Sequence, residues 1–131
     1  MVGDPVGDFI VRLTNAGAVR KEIVSLPYSQ LKHAIADKLK ERGYITEAVK
    51  QGKKVKKTLD VTLRYNADGS AFIQGVSRVS KPGRRLYVKS SEIFPVKFGK
   101  GTMILSTPEG ILAGDEARKK KVGGENLFII W

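Results

Sequence analysis

Three short stretches of this 131-residue chain carry side chains suited to gripping a polyanion. In SKPGRR, Pro82-Gly83 makes a tight turn that presents Lys81, Arg84 and Arg85 from a rigid base, and arginine planes fork onto phosphates or stack on exposed bases. Tyr87 follows two residues after Arg85 and shares its face if a strand begins there; a core or interface tyrosine is the plainer alternative. In STPEG, Ser106 and Thr107 place two hydroxyls at a strand end before Pro108 and Gly110. Such hydroxyls either cap the local backbone or bond sugar hydroxyls and base edges. In EARKKKVGGENLF, four consecutive cations, Arg118 to Lys121, precede Gly123-Gly124 and the acid Glu125. A solvated helix face accounts for the cations alone, and a helix terminator for the glycines alone.

These residues need a scaffold, and the apolar pattern supplies one. DPVGDFIVRLTNAG reads as a helix capped by Asp4, with Pro5 in its first turn and Val6, Phe9, Ile10 and Leu13 at three- and four-residue spacing. EIVSLP is a short strand. YSQLKHAIADKLKERG is a second helix, with Leu31, Ala34, Ile35 and Leu39 on one face and Gly43 as terminator. From Tyr44 the period becomes two: Leu59, Val61, Leu63 and Tyr65 alternate with polar residues. NADGS predicts a hairpin turn with AFIQGVSRVS returning and a bulge at Gly75. A basic turn and short strand, one helical turn in SSEIFPV, the strand TMILS, the short strand ILA, a helix DEARKKK capped by Asp115 and the strand ENLFIIW complete the chain. The fold class is α+β: an N-terminal α/β lobe, residues 1–66, packed on a C-terminal mainly β lobe with a short helix, residues 67–131.

Composition narrows the function. Twenty-four lysines and arginines against thirteen acids give a net charge of +11, which points to nucleic acid first and an anionic membrane second. Thirteen cations against three acids fall between Ala48 and Lys100, so the excess sits mid-chain, with the second cluster at Arg118 to Lys121. KQGKKVKK, residues 50–57, reads as a solvated hairpin tip. No apolar run reaches the ~20 residues of a membrane-spanning helix, and the amphipathic helix that membrane adhesion needs is missing. Zero cysteines and a single histidine leave neither thiolate chemistry nor a metal set. FGKGT lacks the glycine spacing and the Gly-Lys-Ser/Thr ending of a phosphate loop and is better read as a glycine-rich hairpin. His33 has no nucleophile or carboxylate constellation in view, so a small hydrolase is the weakest of the readings, behind a basic adaptor. No cofactor, metal or small-molecule substrate is implied, and the chain reads as cytoplasmic and non-catalytic.

Four segments, DPVGDFIVRLTNA, LPYSQLKHAIADKLKERGYI, VSRVSKPGRRLYV and ILSTPEGILAGDEARKKKVGGENLFIIW, together resemble the bacterial-type small-subunit ribosomal protein eight family across essentially the whole chain. The resemblance implies direct binding to the central domain of small-subunit ribosomal RNA early in assembly, neighbouring small-subunit ribosomal proteins as partners, and, as in some members, binding to the messenger RNA of its own operon. It implies that the Ser106-Thr107-Pro108 loop enters the minor groove of an irregular RNA helix with the Gly123-Gly124-Glu125 turn close by. The wide, shallow minor groove of RNA displays sugars and base edges, so its reader must bring main chain close as well as charge. On this reading Gly123-Gly124 permits the approach, Glu125 accepts from base amino groups or braces the Ser106 loop, and Arg118 and Lys119 supply attraction. Pro108 stands where the family usually has serine, and Phe128 where many relatives have cysteine.

Overall fold

A computed structural model describes residues 4–52 and 56–131, apart from the Phe98 side chain. The order is α1 (Pro5–Ala18), β1 (Ile23–Pro27), α2 (Gln30–Glu41), β2 (Ile45–Gln51), β3 (Thr58–Leu63), β4 (Val76–Arg78), β5 (Tyr87–Val88), β6 (Thr102–Thr107), β7 (Gly110–Ala113), α3 (Gly114–Lys120) and β8 (Gly124–Ile130). Single 3-10 turns occupy Ser90–Glu92 and Lys97–Gly99. This is the expected mixed α+β fold: helix, strand, helix, strand and strand, then a mainly β region with a short helix. The chain forms two compact units, one of Asp8–Ile73 and one of Gln74–Trp131 with the described residues up to Gly7.

In the first unit β3 is the middle of a three-stranded antiparallel sheet, in the order β1-β3-β2. The period-two pattern acts as expected: Leu59, Val61 and Leu63 are buried, while Thr58, Asp60 and Thr62 point from the opposite face. Helix α2 covers β2 and β3. Ser29 caps it, its hydroxyl accepting the Lys32 N–H at 3.1 Å. Its buried face is turned from the expected one. Ile35, Ala36 and Leu39 face inward with the stems of Lys32 and Lys38, whereas Leu31 is exposed. The lysines tolerate this because their ammonium groups escape, Lys32 Nζ to the Pro27 carbonyl at 3.1 Å and Lys38 Nζ to Glu41 Oε2 at 3.0 Å. Gly43, at φ +83°, ends the helix region as expected.

The NADGS turn forms, with Gly69 at φ +89° and the Asn66 N–H donated to the Ser70 carbonyl at 2.8 Å. The expected return strand does not form beyond a Tyr65–Ala71 bridge, since β1 and β2 already occupy both sides of β3; β4 instead pairs with β8. Gly75 is not a bulge. Its main chain exchanges hydrogen bonds with Trp131, and a Cβ there would lie 2.5 Å from the indole ring. Of the KQGKKVKK lysines, Lys50 lies in β2 with Nζ 4.5 Å over the Tyr28 ring and Lys56 and Lys57 are exposed; Lys53 and Lys54 lie outside the described residues.

In the second unit β8 is central, with β6 on one side and β4 and β5 in succession along the other; β7 extends the sheet beyond β6. Ile93, Met103, Leu105, Leu112 and Ala117 form the core between one sheet face and α3. The N-cap position of α3 is Ala113 rather than Asp115: Glu116 Oε1 reaches back to accept the Ala113 N–H at 2.9 Å, placing the acid one turn in. Val96 and Gly101 bridge around Lys97–Gly99, the compact glycine-rich loop expected of FGKGT.

Candidate nucleic-acid interface

The three candidate stretches meet at the start of β8. Tyr87 pairs with Glu125 across β5 and β8, Ser106 with Glu125 across β6 and β8, and Ile111 with Ser106 across β7 and β6. Directly opposed residues of neighbouring strands share a sheet face, so an aromatic ring, a carboxylate and a hydroxyl from distant parts of the chain stand in one row. Tyr87 is 68% exposed, while Ser106 and Glu125 are half-buried. Among the described residues neither the Ser106 hydroxyl nor the Glu125 carboxylate has a hydrogen-bond partner, so the brace between Glu125 and the Ser106 loop is not formed.

The double glycine exists for the closeness of these strands. A Cβ on Gly124 would lie 2.2 Å from the Ser106 carbonyl oxygen, and one on Gly123 would lie 2.4 Å from the Val88 carbonyl oxygen. Main chain on both sides leaves no space for a methyl group. The glycines do not terminate α3: Lys121 does, in the left-handed region at φ 57°, with the Val122 N–H donated to the Ala117 carbonyl at 3.0 Å. Arg118, Lys119 and Lys120 occupy the last turn of α3, exposed, where cations suit the negative end of the helix.

The Thr107 hydroxyl is engaged locally. It accepts the Glu109 N–H at 3.1 Å and donates to the Gly110 carbonyl at 2.8 Å, closing the turn between β6 and β7. Having spent its proton, it keeps one lone pair, so it faces any partner as an acceptor. Pro108 sits at the first corner of this turn, where its fixed φ is suited, and Gly110 supplies the positive φ of +107°. The turn closes on the Thr107 hydroxyl without a main-chain donor at that corner.

On the other flank, Lys81 and Arg84 exchange both main-chain hydrogen bonds around Pro82-Gly83, at 3.0 and 2.9 Å. Ser80, which the sequence did not mark, clamps this loop. Its buried hydroxyl donates to the Leu86 carbonyl at 3.1 Å and accepts the Leu86 N–H at 2.8 Å. Both legs then hang on Asn126: the Ser80 N–H donates to its carbonyl and its own N–H donates to the Leu86 carbonyl, each at 3.0 Å. The loop is thereby held beside Glu125, with Lys81, Arg84 and Arg85 exposed. A serine before Lys-Pro-Gly is the one signal that could have been read, because hydroxyls close loops of this length.

Asn126 itself is anomalous, since its Oδ1 is buried without a hydrogen-bond partner among the described residues. An unpaired buried carbonyl costs about 1–3 kcal/mol, and asparagine is poorly suited to a strand interior. Asn126→Val is therefore expected to stabilise the protein by about 1 kcal/mol, read as a higher denaturant midpoint at unchanged slope. A lower midpoint would show that the amide does hidden work.

His33 lies outside this surface, on α2. Its ring meets Tyr28 edge to face at 5.6 Å between centroids, with Nε2 3.5 Å from Asp37 Oδ1. Among the described residues no set of side chains could hold a metal ion.

Comparison with known proteins matches residues 4–131 to the family described as ribosomal protein S8. The small ribosomal subunit protein uS8 of Mycoplasmopsis synoviae is 48% identical over 129 residues, spanning 98% of this chain and 97% of that protein. Those of Chloroflexus aurantiacus and Roseiflexus castenholzii are 47% and 45% identical over 131 and 130 residues, each spanning 99% of this chain and 98% of the relative.

Proposed function

Because the chain belongs to the ribosomal protein S8 family, we propose that it is a non-catalytic constituent of the cytoplasmic small ribosomal subunit that binds the central domain of the small-subunit RNA directly and organises its assembly. The observation that supports this most is the row of Tyr87, Glu125 and Ser106, with exposed cations on both flanks. Its parts divide the work of recognising a folded RNA. Lys81, Arg84, Arg85, Arg118 and Lys119 recruit the polymer, a term that falls steeply with salt as counterions are released. Tyr87 offers a ring on which an unpaired base stacks. Ser106 both donates and accepts toward ribose hydroxyls, and Thr107 and Glu125 accept, which suits the 2′-hydroxyl and the exocyclic amino of guanine in the minor groove. Pro82, Gly83, Pro108, Gly110, Gly123 and Gly124 shape the main chain that carries them. Feedback binding to its own operon's messenger RNA belongs to the same reading, because a site that reads RNA shape accepts any transcript that copies that shape.

Titration of an irregular central-domain helix and a regular duplex of equal length, at two salt concentrations, tests the reading. Thr107→Val, which opens the β6–β7 turn, is expected to weaken the irregular helix about tenfold and the regular duplex hardly at all. Lys119→Ala is expected to weaken both comparably and to reduce the salt slope by about one ion. Equal wild-type affinity for the two RNAs at physiological salt would remove the specific reading.

A further inference from the structure

The three-stranded sheet carries a second, chemically opposite surface. Its solvent-facing residues come in rows across β1, β3 and β2, and the middle row is Ser25, Asp60 and Val49. Ile23 and Thr62 stand in the row on one side, and Pro27 opens the row on the other. Among the described strand residues no lysine or arginine points from this face, although the chain carries net +11. Lys50, on the alternate register of β2, turns away to lie over Tyr28.

Asp60 is the feature that gives the face a preference. Ser25 Oγ donates to its Oδ1 at 2.6 Å and Thr58 Oγ1 donates to the same oxygen at 3.2 Å. Oδ2 is left without a partner among the described residues. The other carboxylate on the face, Glu47, is already paired with Lys40 at 2.6 Å. Val49 stands directly beside this fixed anion and Ile23 and Pro27 diagonally from it: Ile23 is 52% exposed, Val49 39%, and Pro27 is also exposed. A phosphate backbone is disfavoured here, because none of the described strand residues brings a cation to the face, the one ammonium that reaches it, Lys40, is already paired with Glu47, and an oriented carboxylate stands at its middle.

We infer that the solvent face of β1-β3-β2 docks a protein partner that sets one lysine or arginine on Asp60 Oδ2 and apolar side chains on Ile23, Pro27 and Val49. Charge complementarity selects the partner class, and a fixed acceptor held by two hydroxyls with apolar contacts close by is what a desolvated ion pair needs to be worth its burial. The partner's being another protein of the small subunit rests on the ribosomal reading; the chemistry of the face does not.

The absence of native cysteine gives a direct test. A Val49→Cys chain is alkylated with a maleimide in three states: free, bound to central-domain RNA alone, and incorporated into assembled small subunits. Cys at position 49 is expected to react at the free rate in the first two states and about tenfold more slowly in the third, with Asp60→Lys restoring the rate to within about twofold of free in subunits that still bind the RNA normally. Protection by RNA alone would overturn the proposal in favour of a nucleic-acid contact. Full reactivity in the subunit, or protection that Asp60→Lys leaves intact, would also overturn it. A wild-type chain that binds no RNA and enters no subunit would instead defeat the ribosomal reading, and with it this choice of partner.

Discussion

Gly124→Ala is expected to cost about 3 kcal/mol of stability, the upper part of the range for overfilling a packed interior, and to take specific RNA binding with it. The added methyl would fall 2.2 Å from the Ser106 carbonyl oxygen and 2.9 Å from its carbon. Neither can rotate aside, since both belong to the main chain of β6. The strands must part, and the row of Tyr87, Glu125 and Ser106 spreads by the same movement. Gly123→Ala acts on the other flank, where Val88 oxygen at 2.4 Å and Lys89 Cα at 3.0 Å stand in the way. The control is Gly83→Ala: nothing lies within 4 Å of its Cβ and its φ is not positive, so stability changes by about 0.5 kcal/mol or less, in the favourable direction. Denaturant unfolding of the three variants checks the order. At temperatures where Gly124→Ala is still folded, its affinity for the irregular RNA helix should be at least about tenfold below wild type. Wild-type stability in Gly124→Ala would show that the close approach of β6 and β8 is not what demands glycine there.

The second large effect comes from Asp4 and Arg78, a bidentate pair in which the two terminal guanidinium nitrogens, Nη1 and Nη2, donate to the carboxylate. Arg78 also donates from Nε to the Ser80 carbonyl at 2.9 Å, and Asp4 Oδ1 accepts the Gly7 N–H at 3.1 Å as the cap of α1. Gly7 makes the space, since a Cβ there would sit 2.2 Å from Arg78 Nη1. Asp4→Asn keeps a capping oxygen and loses the charge. With 37% of the Asp4 side chain exposed, water screens the pair, and the loss is expected near 1–2 kcal/mol; Asp4→Ala forfeits the cap as well, for about 1 kcal/mol more.

The pH dependence separates the two terms. The hydrogen bond from Arg78 holds the Asp4 carboxyl below the ordinary aspartate range, against an opposing push from partial burial and with help from the Gly7 N–H. An aspartate with a lowered folded-state value contributes stability that is fully present above its unfolded value, about 4, and is lost as pH falls through the lowered one. The gap between wild type and Asp4→Asn should therefore be constant from neutral pH down to about 5 and close below about 4. Chemical denaturation across that range measures it. A gap that persists unchanged at pH 2 would assign the effect to packing instead of charge.

Much was legible in the sequence because it depends on neighbours along the chain. Alternation at Leu59, Val61 and Leu63 set the inner face of β3, Asp4 and Pro5 marked the start of α1, and each candidate stretch lies in the loop or helix end that its turn residues demand. Local rules failed where a distant residue held the decision. Leu31 yielded its place on α2 to Lys32 and Lys38, whose charges found exits at Pro27 and Glu41. Gly75 answered to Trp131, and β4 went to β8 because both edges of β3 were taken. The site follows the same division. Residue types marked cations, hydroxyls and an aromatic ring as candidates for a polyanion, and the family resemblance added the two glycines, yet strand register, which no spacing records, set Tyr87, Glu125 and Ser106 side by side. Tertiary pairing also gave the glycines their reason and set the half-buried Asp60 at the centre of a face to which none of the described strand residues turns a lysine or arginine. Periodicity and turn chemistry are encoded within a few residues, whereas pairing is settled by whichever strands can bury the most apolar surface together, a property of the whole chain.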